Sequence, residues 1–199
     1  MPPLVLALGG SLRRLSANNA LARAAAASSP GNVTLWPSPL SDLPFFDADI
    51  EVPLPPSVAA LRAAAFDASG FFFGSPEYNG LPTAVLKNAL DWLSRGGPEK
   101  LSPLKGKPFA IASAAGRSGG ANSQRALASM LTGACSMQHI GADALLVNQW
   151  DGTIHFDAVS GDLIDEEVRA RIAARVGELV EAAATVWQAK QTAKAGTPA

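Results

Sequence analysis

"FFFGSPEYNGLPTAVLKNALDWLSR", residues Phe71–Arg95, reads as a strand, a turn and a helix in immediate succession. Three phenylalanines run into Gly74-Ser75-Pro76, a combination that favours a turn over continued strand. Pro82 suits the first turn of a helix, and apolar residues then recur at helical spacing as far as Ser94. A strand followed at once by a helix is the building unit of a parallel sheet. A plain connector needs only turn residues, yet this one also carries Glu77 and Tyr78.

The rest of the chain repeats that unit. Apolar runs at Pro3–Leu8, Val33–Trp36, Gly70–Gly74, Phe109–Ala114 and Ala142–Val147 lack polar alternation, as strands covered on both faces do. Helical patterns lie between and after them at Ala17–Ser28, Ser57–Ala68, Pro82–Ser94, Ala121–Leu131 and Leu163–Ala189. The order β-α-β-α-β-α-β-α-β predicts an open α/β sheet with right-handed crossovers. Pro37–Pro56, with six prolines, reads as a long surface loop. Gln149–Gly161 carries Asp-Gly and Ser-Gly turn signals and predicts a small hairpin. Residues 1–190 are expected to form one domain, and 191–199 a frayed tail.

Composition excludes several classes of function. The 199 residues are 48% hydrophobic and 17% charged, which suits a folded core and argues against global disorder. A net charge of -1 offers no electrostatic case for nucleic acid or an anionic membrane. No apolar stretch is long enough to span a bilayer, and no basic region precedes the short apolar run at the start. The lone cysteine, Cys135, fits a reducing compartment, so a cytoplasmic location is expected. His139 and His155 lack metal-ligand spacing, and no metal site is expected.

In a doubly wound sheet, ligands bind beyond the carboxyl ends of the strands. Three loops leave such ends here. The first, "GGSLRRLSAN" (Gly9–Asn18), combines two glycines, hydroxyls at Ser11 and Ser16, the Asn18 amide and the Arg13 guanidinium before a helix start. That set suits an anion, and specifically the terminal phosphate of a mononucleotide. Neither GxxxxGK[ST] nor GxGxxG with a later acid is present, so a P-loop and a dinucleotide site are disfavoured. In the second loop, Tyr78 and Asn79 can contact a flat heterocycle, Pro76 stiffens the turn, and Gly80 permits close approach. Glu77 there is a candidate acceptor for ligand, backbone or partner; a plain β-α turn is the competing reading. The third loop, "AAGRSGGA" (Ala114–Ala121), offers backbone N–H groups at Ala115, Gly116, Ser118 and Gly119, with the Arg117 charge beside them.

The segments "GSLRRLSAN", "SPEYNGLPTAVLKNALDW" and "AAGRSGGANSQRAL", together with "PFFDADIE" (Pro44–Glu51) and the late "DLIDEEVRARI", resemble the NADPH-dependent FMN reductase family, which includes related quinone, chromate and azo reductases. The likeness runs from about Leu4 to Trp187. It implies a flavodoxin-like three-layer sandwich with a five-stranded parallel sheet in the order 2-1-3-4-5. It also implies FMN as cofactor and NADPH or NADH as co-substrate. Ser11, Arg13, Ser16 and Asn18 would hold the FMN phosphate. Pro76, Glu77, Tyr78, Asn79 and Gly80 would line the isoalloxazine, and Ala115, Gly116, Arg117, Ser118 and Gly119 would complete the ring site. The activity implied is ping-pong hydride transfer from NADPH through FMN to a small acceptor: a quinone, azo compound, chromate or free flavin. Because the flavin carries that chemistry, no catalytic side chain is expected. The family resemblance also implies a homodimer or homotetramer. A flavin-binding electron carrier with no turnover of its own is the alternative; the near-neutral charge argues against it, since docking carriers display strongly acidic surfaces.

Overall fold

The apolar runs pair into one parallel sheet. The computed structural model describes residues 4–141 and 143–195. Strands β1 (Val5–Gly9), β2 (Val33–Leu35), β3 (Gly70–Gly74) and β4 (Pro108–Ala115) lie in the order β2-β1-β3-β4. Registers such as Val5↔Gly70 and Phe71↔Phe109 fix these neighbours. The free edge of β4 carries two short strands end to end. β5 (Gln138–His139) pairs with Pro108 and Phe109, and β6 (Leu145–Asn148) pairs with Ala112–Ala115. The expected order is therefore present, but its fifth strand is split. Of the residues predicted as strand, Pro3 and Ala142 lie outside the described residues.

Arg175 accounts for the split. Gly141 adopts φ 97°, a left-handed conformation that breaks the strand. A Cβ there would fall 2.0 Å from the Arg175 guanidinium carbon. The guanidinium reaches the carbonyl and carboxylate of Asp143 at 3.1 and 3.0 Å, so the break is filled by a cation with local acceptors. The two residues of β5 are exposed and carry no apolar pattern, which is why the sequence does not reveal them.

Both faces of the sheet are covered, as the strand composition requires. Leu6, Leu8, Phe71, Phe73, Phe109 and Ile111 point to one core, closed by α2 (Pro56–Asp67), α3 (Ala84–Ser94) and α4 (Ala121–Gly133). Val5, Ala7, Phe72, Ala110 and Ala112 point to the other, closed by α1 (Ala17–Ser28) and α5 (Glu166–Ala195). This alternation makes three layers from strands that read as uniformly apolar. α3 starts at Ala84 rather than Pro82 because the Thr83 hydroxyl caps it, accepting the Leu86 N–H at 3.3 Å. α5 runs on through Gln191–Ala195, residues expected in the tail, where Ala, Lys and Gln are good helix formers; 196–199 lie outside the described residues. The Pro-rich loop contains two short 3-10 turns at Leu40–Asp42 and Ala48–Ile50. It is tied to α3 by Asn88 and by the Trp92 indole, whose N–H donates to the Pro44 carbonyl at 2.8 Å.

Candidate functional site

The carboxyl ends of β1, β3 and β4 come together. The Gly10 N–H donates to the Gly74 carbonyl at 2.8 Å, and the Ser75 N–H to the Ala112 carbonyl at 2.9 Å. The Thr83 hydroxyl donates back to the Gly10 carbonyl at 2.6 Å. A cleft of about 220 Å³ opens above these ends. Of the predicted residues it is lined by Ser11, Arg13, Ser16, Asn18, Pro76, Glu77, Tyr78, Ala115 and Gly116. Asn79, Gly80, Arg117, Ser118 and Gly119 belong to the same loops but do not line it. A larger groove of about 620 Å³ lies between α1 and α5, away from the strand ends; size alone does not mark the site.

The first loop meets α1 as an anion site would. Ser16 caps the helix, its hydroxyl accepting the Asn19 N–H at 3.3 Å. The N–H groups of Ala17 and Asn18 have no intrahelical acceptor by helix geometry and none elsewhere among the described residues. The Arg13 guanidinium is exposed and makes no hydrogen bond or ion pair among the described residues. Ser11 is buried, its backbone held by the Asn19 side chain at 3.2 and 2.9 Å, so its hydroxyl is fixed beside these donors. Open helix N–H groups, two hydroxyls and an uncommitted guanidinium form a donor set that fits a phosphate.

Several predicted roles change. The Asn18 side chain is engaged at both ends by the sheet: its amide donates to the Ala114 carbonyl at 2.8 Å and its oxygen accepts the Ala114 N–H at 2.9 Å. It fastens α1 to β4, and only its backbone N–H faces the site. Gly9 and Gly10 are required by packing. A Cβ at Gly9 would meet Asn19 at 2.4 Å, and one at Gly10 would meet Leu86 at 2.9 Å. Asn79 and Gly80, at φ 52° and 80°, are the two central residues of a tight turn closed by paired Tyr78–Leu81 backbone bonds of 3.0 and 3.1 Å. Such a turn demands two left-handed residues, which Asn-Gly supplies. That turn leaves Tyr78 exposed at the rim.

Glu77 answers the question posed by the second loop. Its carboxylate accepts the N–H groups of Asn122 and Ser123 at 2.8 and 3.1 Å and the Ser118 hydroxyl at 3.1 Å. It thus caps α4 and ties the second loop to the third. Burial alone would raise its pKa, but the hydrogen bonds from Ser123, Asn122 and Ser118 together outweigh that and hold it below the ordinary value.

Gln149 and Trp150 also line the cleft, and the sequence reading missed them. They follow β6, the neighbour of β4, so a fourth strand-end loop reaches the site. The hairpin expected across Gln149–Gly161 is absent; one antiparallel bridge, Phe156↔Leu163, takes its place. Side chains decide this. His155 is buried, with Nδ1 2.7 Å from an Asp165 oxygen and Nε2 3.1 and 3.2 Å from the Asn148 carbonyl and Asp151. All three partners are acceptors, so only the imidazolium satisfies them. Burial pushes the His155 pKa down, and Asp165 and Asp151 more than offset it, leaving it raised. His139 instead stacks on Phe109, and Cys135 is a packed thiol that burial, with Asp91 adding, pushes up. Among the described residues no group of His, Cys, Asp or Glu could hold a metal ion, and no helix is long and apolar enough to cross a membrane.

Residues 3–152 match the family described as NADPH-dependent FMN reductase. A probable NADPH:quinone oxidoreductase 1 of Oryza sativa subsp. japonica is 39% identical over 175 residues, covering 84% of this chain and 85% of the relative. A 2-hydroxy-1,4-benzoquinone reductase of Burkholderia sp. is 35% identical, covering 80% and 85%. The solved structure of FerB, a flavoenzyme NAD(P)H:(acceptor) oxidoreductase from Paracoccus denitrificans, superposes with a TM-score of 0.75 at 26% identity, covering 91% of this chain and 97% of that one.

Proposed function

The chain belongs to the NADPH-dependent FMN reductase family, a flavodoxin-like group of oxidoreductases that use FMN and NAD(P)H, and from that premise we propose that its acceptor is a quinone. The relatives whose names specify a quinone support that choice. The carrying observation is the cleft itself, where strand-end loops of β1, β3 and β4 meet around open helix N–H groups.

Bound FMN supplies hydride acceptance and two-electron release. The chain's part is to bind and orient. Ser11, Ser16, Arg13 and the N–H groups of Ala17 and Asn18 hold the phosphate. Pro76, Tyr78 and the Ala115–Gly116 backbone line the ring site, and Arg117 with the Ser118 and Gly119 backbone lies beside it. Glu77 fixes the second and third loops against each other, so the ring site is set before ligand arrives. No side chain in the cleft is needed to move a proton. Purified protein holding FMN should oxidise NADPH when a naphthoquinone is added. A yellow protein that fails to do so without a separate reductase would be an electron carrier instead.

We also infer a homodimer or homotetramer working in the cytoplasm. Phe45 and Val52, 78% and 69% exposed on the Pro-rich loop, supply apolar surface that a partner copy would cover. Light scattering that returns a monomer mass would contradict the oligomer.

A further inference from the structure

The loop after β6 places one aromatic side chain where the reaction as described gives it no role. Trp150 lines the cleft and is 74% exposed, although a large indole normally gains by burial. Two features hold it there. Gly116 leaves room for it: a Cβ at that position would lie 2.9 Å from the indole. The backbone on either side is fixed, with the Gln149 N–H on the Ala115 carbonyl at 2.8 Å and the Trp150 N–H on the Asn148 side chain at 2.9 Å. Further along, His155 clamps the loop between Asn148, Asp151 and Asp165, and Asp165 in turn accepts the Val168 N–H at the start of α5. An exposed indole on a loop this well anchored is presented, not merely tolerated.

Its position in the fold adds to this. β3 and β6 pair with opposite edges of β4, at Gly74↔Ala112 and Ala112↔Leu145. The Tyr78 turn and the Trp150 loop therefore enter the cleft from its two flanks. Tyr78 is 55% exposed, so both flanks carry an accessible aromatic face.

We propose that Trp150 is the wall against which a planar aromatic acceptor stacks, and so selects flat ring acceptors over compact polar ones. This rests on reading the cleft as the flavin site. Stacking on an indole face needs no matched hydrogen bonds, so it tolerates many ring substituents while rewarding planarity.

The test is calorimetric, on protein holding FMN, with 2-naphthoate as a flat probe that cannot accept hydride. Trp150→Ala should weaken 2-naphthoate about tenfold, Trp150→Phe should recover it to within about threefold, and Val159→Ala, on the same loop outside the cleft, should leave it unchanged. Flavin absorbance should be retained in all three variants. Unaltered probe affinity in Trp150→Ala would overturn the proposal. So would loss of flavin from that variant, because the indole would then serve to close over Gly116. Wild-type protein that holds FMN but oxidises no NADPH with 1,4-naphthoquinone would remove the quinone reading, and the proposal with it; one that turns over naphthoquinone yet ignores 2-naphthoate would remove the stacking wall alone.

Discussion

The two ends of the sheet use the same kind of residue in opposite ways. At the amino ends of the strands, basic side chains are buried and bonded to backbone carbonyls. Arg62, 1% exposed, donates to the carbonyls of Trp92, Arg95, Gly96 and Leu101 and pairs with Glu99 at 2.6 Å. Lys107, 4% exposed, donates to the Ala65 carbonyl at 2.6 Å. Both sit where α3 and α2 finish, and a helix C-terminus presents free carbonyls to cations. At the carboxyl ends, Arg13, Arg14 and Arg117 are exposed, and α1 turns its free N–H groups into the cleft. One end has its basic groups bonded internally, and the other leaves its donors open.

Breaking the closed end should have the largest effect. Arg62→Met leaves the buried Trp92 carbonyl and a set of part-buried loop carbonyls without their donor, and should cost about 3 kcal/mol in urea unfolding. FMN affinity of the folded fraction should be unchanged; a variant of normal stability would show that the Arg62 network contributes little.

Asn18 sharpens the comparison, because it lies at the open end yet is bonded like a residue of the closed one. Asn18→Ala should cost about 2–3 kcal/mol, since the Ala114 N–H and carbonyl both lose a buried partner. Its effect on FMN affinity should be smaller than that of Arg13→Ala. The reverse ranking would return the Asn18 side chain to the phosphate site.

Arg13→Ala should do the opposite, weakening FMN about tenfold or more while moving stability by no more than about 0.5 kcal/mol. Unchanged FMN retention would take Arg13 out of the site.

The last expected effect is a slope in stability with pH. Burial, with Lys190 nearby, lowers the Lys107 pKa from 10.5 to about 7. Above pH 7 the folded protein releases this proton while the unfolded chain keeps it until about pH 10.5, so stability gains a rising component across that window. Lys107→Met should flatten the rise in stability measured from pH 7 to 10; an identical slope would mean that Lys107 keeps its charge when folded.

Much of this was legible from residues alone. α1 and β3 fall on the predicted bounds, because an alanine-rich run behind a serine cap and a phenylalanine run between glycines each leave one local solution. The three loops of the cleft followed from topology, since strand order places their ends together. What escaped was long-range partnering. Nothing local says that the Asn18 amide meets Ala114, 96 residues on, or that Glu77 meets Ser123. Trp150 escaped because its turn signals suggested a hairpin, while His155 and its two aspartates hold the loop in another shape. Asn79 and Gly80 carry a duty the sequence reading did not name: they are the left-handed centre of a tight turn.

The open end is tested most directly by titrating flavin-free protein with FMN and, separately, with riboflavin, which lacks only the phosphate. FMN should bind about tenfold tighter or more, with the difference shrinking in high salt and in Arg13→Ala. Equal affinities for the two, insensitive to salt and to Arg13, would show that the cleft above β1 and β3 grips no phosphate and would contradict the account.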